Sequence, residues 1–516
     1  MLHFDPTQVG IFTELVSSIA EEMGSTLERV AFSTNIKERR DFSCAVFDRD
    51  GFLVAQAAHI PVHLGAMEFL MRRWIREGPE LSEHDVGISN DPYFAGTHLP
   101  DISLIAPVHA RGERVGYVAC RAHHADVGGK DPGSFSPVSH VSDEGVILRP
   151  SLYNEETLGE LLRRSRNPGE REGDLEAQRA AIEVGKRRLT ALAERYGDEL
   201  DVRIRECRAY SERLTRAALQ QLPADEWSAA DVLEDVPEAG KKVPIRLRVR
   251  ADGSGGILFD FAGSAPQQPI GVNATEAVTR SACYYVVRCL APDAPTNAGC
   301  FLPVSVLAPS GSIVNAAFPA PVVAGNTETS QKIVDVILQA LSRALPDVVP
   351  ACSQGTMNNV ALGTDDWTYY ETIGGGCGAG NRSPGAAGWH SHMTNTANTP
   401  AEALELALPL RVWRYELRDG SGGVGDQPGG AGVVREIELL DEQATLSLMT
   451  ERRSTKPPGA KGGDPGSPGS NRILRSDGSV EALPAKCVAH IFQGDRLLLD
   501  TPGGGGWGEQ SDPSTR

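Results

Sequence analysis

Between Asp41 and Asp126 the chain gathers the residue types that bind metal ions and move protons. Asp41 stands just before a strand-like run. His59 and His63 follow, then Asn90-Asp91-Pro92-Tyr93, then His98-Leu99-Pro100-Asp101, then His123-His124-Ala125-Asp126-Val127-Gly128-Gly129. Eight of the 12 histidines fall between positions 59 and 140, well above an even spread. Imidazole with carboxylate suits Zn, Mn or Fe(II). His98 and Asp101 are three apart beside a proline, so one turn can aim both at one ion. His123 ends the strand-like run from Arg114, where a neighbouring segment can meet them. A single histidine of this kind is more often a satisfied core residue than a ligand. Three ligand-type residues on converging turns and strand ends make the metal reading the stronger one.

Other chemistries find less support. There is no H-E-x-x-H, no G-x-x-x-x-G-K-[ST] and no G-x-S-x-G in the chain, so metalloprotease, P-loop and hydrolase-elbow readings drop out. Gly420-Ser421-Gly422-Gly423-Val424-Gly425 matches G-x-G-x-x-G after a strand. Asp426-Gln427-Pro428-Gly429-Gly430 follows, however, and opens a helix poorly, so the dinucleotide reading fails on context. Cys377, inside Gly374–Gly380 and before His390 and His392, reads as a small residue in a packed glycine turn rather than a nucleophile. The nine cysteines are sparse and never in C-x-x-C spacing, which fits reduced thiols.

The elements that must position these groups read as follows. Residues 5–23 form a helix, with Asp5 as N-cap, Pro6 at N1 and Val9, Phe12, Val16, Ile19 and Met23 on one face. Ser43–Phe47 and Phe52–Gln56 make a hairpin around Asp50-Gly51. Val86–Ser89, Ile102–Pro107 and Arg114–Arg121 are strand-like. Residues 155–222 carry two or three helices, broken near Asn167-Pro168 and Tyr196-Gly197. Val243–Phe261 alternates at period two around Asp252-Gly253, a second hairpin. Ala274–Leu290 and Ser330–Ala344 read as helices, Trp413–Leu417 and Val433–Leu440 as strands, and Lys456–Asn471 as a mobile, exposed loop. The expected fold class is α+β: a large multidomain mixed α/β architecture with antiparallel hairpins and a helical insert. The expected divisions are an α+β region at 1–150 carrying the metal motifs, a helical segment at 151–225 and a Gly-rich mixed region at 226–516.

The 516 residues carry Lys+Arg 50 against Asp+Glu 68, a net charge of -18, which argues against a duplex-binding surface. With mean hydropathy -0.24 and no long apolar run, no membrane span is expected. The first residues, MLHFDPTQVG, lack the pattern of a secretory signal, and the expected location is cytoplasmic. The 55 glycines concentrate in the C-terminal half. The runs near 374–380, 420–432 and 503–508 are equally candidates for a partner contact surface and for internal turns.

Seven segments together resemble one family: NDPYFAGTHLPD (90–101), RAHHADVGG (121–129), EGVILRP (144–150), GDLEAQRAA (173–181), GNTETSQKIVDVI (325–337), SHMTNTANTPAEALE (391–405) and TPGGGGWG (501–508). They are similar to motifs of the hydantoinase B/oxoprolinase family, and they run in family order through nearly the whole chain. The resemblance implies the metal-binding B-type subunit of a heteromeric, ATP-dependent cyclic amide or imide hydrolase, of hydantoinase, 5-oxoprolinase or caprolactamase type. It implies a hydantoinase A-type partner that uses ATP to phosphorylate the substrate. Subunits of acetone and acetophenone carboxylases belong to the same family, so ketone carboxylation stands as the alternative chemistry and a noncatalytic scaffold as a third reading. The implied metal ligands fall on His98, Asp101 and His123, with Asp41 a further one. His124 and Asp126 are candidates for carrying a proton, and His124 is also the alternative to His123 as a ligand.

Overall fold

The structure, a computed structural model, describes residues 6–57, 60–236 and 242–510. Asp5 and His59 lie outside them. The expected first helix runs Pro6–Val30 and buries Val9, Phe12, Val16, Ile19 and Met23. Beside it lies a six-stranded antiparallel sheet of β1 (Phe42–Phe47), β2 (Leu53–Gln56), β3 (Gly87–Ser89), β4 (Asp101–Ala110), β5 (Glu113–His123) and β6 (Ser151–Leu152). Its order is β2-β1-β5-β4-β3-β6. The β1–β2 hairpin turns at Gly51, whose φ of 82° a side chain resists.

Side chains alternate across this sheet, and both faces are covered. Cys44, Val46, Leu104, Ala106, Val118 and Cys120 pack under the first helix and the helix Pro168–Tyr196, sharing one core with Phe12, Ile19, Leu175, Ile182 and Leu189. The helical segment therefore has no separate core from the first region. On the other face Ala45, Phe47, Ile105, Tyr117 and Ala119 meet Met67, Leu70, Met71 and Trp74 of the helix Ala66–Glu77. The helical stretch contains Glu155–Arg164, Pro168–Tyr196 and Leu200–Leu219, parted at Asn167 and Gly197.

Three more sheets follow. Asp225–Leu233, Val243–Ala251, Ile257–Asp260 and Val304–Leu307 form four strands, with the last pair parallel. The helices Glu276–Leu290 and Ser330–Leu341 pack with this sheet in one core. A four-stranded and a five-stranded antiparallel sheet, built from residues 359–500, share a further core around Val360, Ile437, Leu446 and Leu497. The architecture is thus multidomain, with mixed helices and antiparallel sheets. No helix among the described residues is long and apolar enough to cross a membrane.

The glycine runs pack on one another. Gly376 N donates to Pro502 O, Gly504 N to Gly430 O, Gly430 N to Cys377 O and Gly423 N to Gly504 O. A Cβ on Gly504 would stand 1.9 Å from Cys377 O, and one on Gly376 2.0 Å from Gly430 O. These runs form a bundle of extended segments packed on one another, and the 420–428 stretch keeps part of its length exposed. Residues 456–471 also differ from the expected free loop. Ala460 N donates to Gly506 O, Asp464 N to Val424 O and Gly503 N to Ser467 O, which stitches the segment to the bundle.

Candidate metal centre

The segment from Asn90 to Asp101 is a built turn, and each polar residue in it has a local task. The Asn90 carboxamide donates to Leu99 O and Val146 O and accepts from Leu148 N, pinning the turn to the 146–148 segment. Asp91 caps the short helix Pro92–Phe94 through Tyr93 N. Ala95 adopts φ 72°, and a Cβ on Gly96 would stand 2.6 Å from Asp91 O. The chain then turns so that Asp101 N bonds His98 O, which puts both side chains on one side. Asp101 opens β4 directly opposite His123, the last residue of β5.

Three atoms meet there. His98 Nε2 lies 3.2 Å from His123 Nδ1 and 3.2 Å from Asp101 Oδ1, and His123 Nδ1 lies 3.3 Å from the same oxygen. All three residues are buried. An ion held tetrahedrally at about 2.0–2.1 Å spaces its ligand atoms about 3.3–3.4 Å apart, so the triangle has the size that an ion requires. Asp101 Oδ1 is a buried acceptor left without a well-directed hydrogen bond, which costs free energy unless another group meets it. Donor set, spacing and orphaned oxygen all fit a divalent cation.

The surroundings orient the three. His98 Nδ1 bonds Val323 O at 2.9 Å, which leaves Nε2 facing the triad. Val323 is itself held by Glu144, whose carboxylate accepts from Val322 N and Val323 N. Asp101 Oδ2 accepts from Thr97 Oγ1 at 2.5 Å and Asn326 Nδ2 at 3.4 Å, and meets His63 Nε2 at 3.2 Å. His63 Nδ1 reaches Ser43 Oγ at 2.9 Å. His123 stacks on Tyr370 at 4.6 Å, and the Tyr370 hydroxyl donates to Asn359 Oδ1. Asn326 belongs to the π-helical turn Gly325–Thr329, a form often found at functional sites. In the next row of the sheet Arg121 is fully buried; its Nε bonds Ser103 Oγ, while Nη1 and Nη2 have no hydrogen-bond partner among the described residues.

Electrostatics prepare the triad for a cation. Burial opposes ionisation of Asp101, but His98 and His63 outweigh it and hold the carboxyl well below its usual range. Burial also opposes charge on His98, and Asp101 outweighs it, so the His98 pKa rises. At His123 burial prevails and the pKa falls, which keeps that ring neutral.

The other expected site residues lie around this centre. Asp41 sits beside His123, whose N–H donates to Asp41 O at 3.0 Å. Its carboxylate is 3.5 Å from Arg39 and is not one of the three converging atoms, although its charge raises both His98 and His123. His124 points to the opposite face of the sheet, where Nε2 bonds Gln178 Oε1 at 3.0 Å. Burial lowers its pKa to about 4. Asp126 accepts from Gly128 N, Gly133 N and Arg166 N and pairs with Arg166 at 3.2 Å. Both side chains are thus engaged in bonds of their own, and neither supplies one of the three converging atoms. Cys377 lies in the glycine bundle, its thiol pushed up by burial to about 11. His390 bonds Asn398, and His392 faces Asp335, so neither forms a pair with Cys377. Thr97, Asn326, Tyr370 and Glu144 were not singled out from the sequence. Only their places inside the quoted motifs marked three of them, and Tyr370 lies in none.

The chain is 40% identical to 5-oxoprolinase 1 of Arabidopsis thaliana over 98% of its own length and 42% of the plant protein. It spans about two fifths of that relative. It is 31% identical to the putative B-type subunit of a D-/L-hydantoinase from Pseudomonas sp. strain NS671, over 98% of this chain and 90% of that one. The ATP-dependent caprolactamase of Pseudomonas jessenii superposes with a TM-score of 0.92 at 29% identity, over 99% of this chain and 93% of that one. A nucleotide-free acetone carboxylase shares the fold, with a TM-score of 0.90 at 17% identity over 99% and 77%. A match to hydantoinase B/oxoprolinase over residues 5–510 takes in the triad, the turn that builds it and the glycine bundle, and the chain belongs to that family.

Proposed function

We propose that this chain is the metal-bearing component of an ATP-dependent hydrolase that opens a cyclic amide or imide of the 5-oxoproline or hydantoin type. The observation that carries the reading is the triangle of His98 Nε2, His123 Nδ1 and Asp101 Oδ1, with sides of 3.2–3.3 Å, inside a member of this family. His98, Asp101 and His123 hold a Zn, Mn or Fe ion, and Asp41 is the further carboxylate beside them. A divalent ion there supplies Lewis acidity, which polarises a carbonyl or phosphoryl oxygen and acidifies water.

The chain's own residues do the rest. Val323 O and Glu144 fix the His98 tautomer and ring position. Thr97, Asn326 and His63 occupy Asp101 Oδ2, which leaves Oδ1 for the ion. All three ligands are buried, so an ion held by them would be screened from bulk solvent. Amide hydrolysis of an unstrained ring is slow, and phosphorylating the carbonyl oxygen makes a good leaving group. That step falls to an A-type partner, since this sequence holds no P-loop. The plant 5-oxoprolinase, of which this chain matches 42%, has further chain in which a corresponding activity would reside. The component works in the cytoplasm as part of a hetero-oligomer.

The test is co-expression with an A-type chain, followed by ADP release and ring-opened product measured for 5-oxoproline, hydantoins, caprolactam and ketones. Coupled turnover of a cyclic amide supports the reading. Fixation of labelled bicarbonate into a ketone would instead assign carboxylation, and no turnover with any of these substrates would leave a scaffold.

A further inference from the structure

Asp101 and His123 occupy the first residue of β4 and the last residue of β5, facing each other as the final pair of their ladder. Strand ends fray, so a pair of ligands placed there gains from a fastening beyond the backbone bonds of the ladder. The structure holds one on the back of the sheet. Gln178, on the helix Pro168–Tyr196, is fully buried. Its Nε2 donates to the carbonyl of Ile102, the residue after Asp101, at 3.0 Å. Its Oε1 meets His124 Nε2, the residue after His123, at 3.0 Å. One planar carboxamide thus spans both strand ends.

The polarity of this bridge is fixed. The opposite amide orientation would set an oxygen against the Ile102 carbonyl, so Nε2 is the donor there. The amide oxygen then accepts, and His124 carries its proton on Nε2. The backbone bond from His124 N to Pro100 O, at 2.9 Å, closes the same end of the ladder.

We propose that Gln178 is a positioning residue for the metal centre, which sets the Asp101–His123 separation by bridging Ile102 and His124 from the opposite face of the sheet. This rests on the reading that the triad holds a divalent ion. It also accounts for a buried glutamine in the 173–181 segment and for the second histidine of the His123-His124 pair.

The test uses the full chain, stripped of metal and titrated with Zn2+ and Mn2+ against a chelating dye, with the thermal midpoint of the apoprotein as the control for folding. Gln178→Met keeps the length and removes both bonds; His124→Leu removes one end. Each should weaken metal binding about ten- to a hundredfold, as is typical when a group that orients ligands is lost. The double variant should be no weaker than the poorer single one, because both belong to one bridge. Co2+ bound to either variant should show a shifted ligand-field spectrum, which a role limited to packing would not produce. Gln178→Met binding within twofold of wild type, with an unshifted spectrum, would overturn the proposal while leaving the metal site in place. Losses that multiply in the double variant would overturn it too. Should Gln178→Met not fold, His124→Leu alone is read against the same limits. A wild-type chain that binds no ion would remove the metal reading, and this proposal with it.

Discussion

Replacing His98 with alanine removes one corner of the triangle. Its Nε2 is 3.2 Å from each of the two remaining ligand atoms, and its Nδ1 bonds Val323 O at 2.9 Å. Four-ligand zinc sites bind with about 10–16 kcal/mol, or roughly 3–4 kcal/mol per ligand. At about 1.4 kcal/mol per decade the variant should bind Zn2+ or Mn2+ roughly 10²–10³-fold more weakly. The apoprotein should also lose stability, by about 2–4 kcal/mol. Val323 O, buried beside the ring, is left unmet at a cost of about 1–3 kcal/mol, and the deleted ring leaves a void. Competition against a chelator of known affinity gives the first quantity, and urea unfolding of the metal-free chain gives the second. Wild-type affinity in His98→Ala at full stoichiometry would refute the ligand assignment, whatever happened to stability.

Acidification should release the ion. The His98 pKa lies above its ordinary value and the ion competes with that proton, so affinity should begin to fall above pH 6.5 and then by about tenfold per unit; a flat profile from pH 8 to 5.5 would argue against His98. Glu328 is buried with its pKa raised by burial to about 7 from 4.5. Its contribution to stability is complete below pH 4.5 and is lost as pH rises through 7, so Glu328→Gln should gain on wild type between pH 5 and 8, by up to roughly 3 kcal/mol. Parallel stability curves for the two proteins would contradict this. Gly504→Ala should destabilise by about 3 kcal/mol or more, because its Cβ would meet Cys377 O at 1.9 Å. Gly10→Ala, on the first helix with no described residue within 4 Å of the added Cβ, should instead stabilise by about 0.5–1 kcal/mol; thermal midpoints of both variants check the pair.

Local signals made much of the fold legible in the sequence. The Asp50-Gly51 turn, the Asn167-Pro168 break and the five-residue apolar stripe from Val9 to Met23 each depend on neighbours within a few positions, and each recurs in the structure. His98 and Asp101 share one turn, so their convergence was legible as well. Contacts across long separations were not. Asn326 reaches Asp101 over 225 residues, and Tyr370 stacks on His123 over a longer gap still. The bonds to Gln178 and to Arg166, Gly128 and Gly133 that occupy His124 and Asp126 depend on tertiary placement. Asp41 shows the same limit: its place before a strand puts it beside His123, but the pull of Arg39 on its carboxylate appears only in the fold. The glycine runs looked alike whether internal or external. Only their mutual hydrogen bonds, and the lack of room for a Cβ at Gly376, Gly430 and Gly504, show that they pack on one another.

The most direct measurement is turnover of 5-oxoproline and ATP by this chain co-expressed with an A-type chain, before and after removal of metal. The account predicts ring-opened product and ADP in equal amounts, loss of product on chelation, and recovery with Zn2+, Mn2+ or Fe2+ in wild type but not in His98→Ala. Full-rate ring opening by the metal-stripped complex, or by the complex carrying His98→Ala, would contradict it.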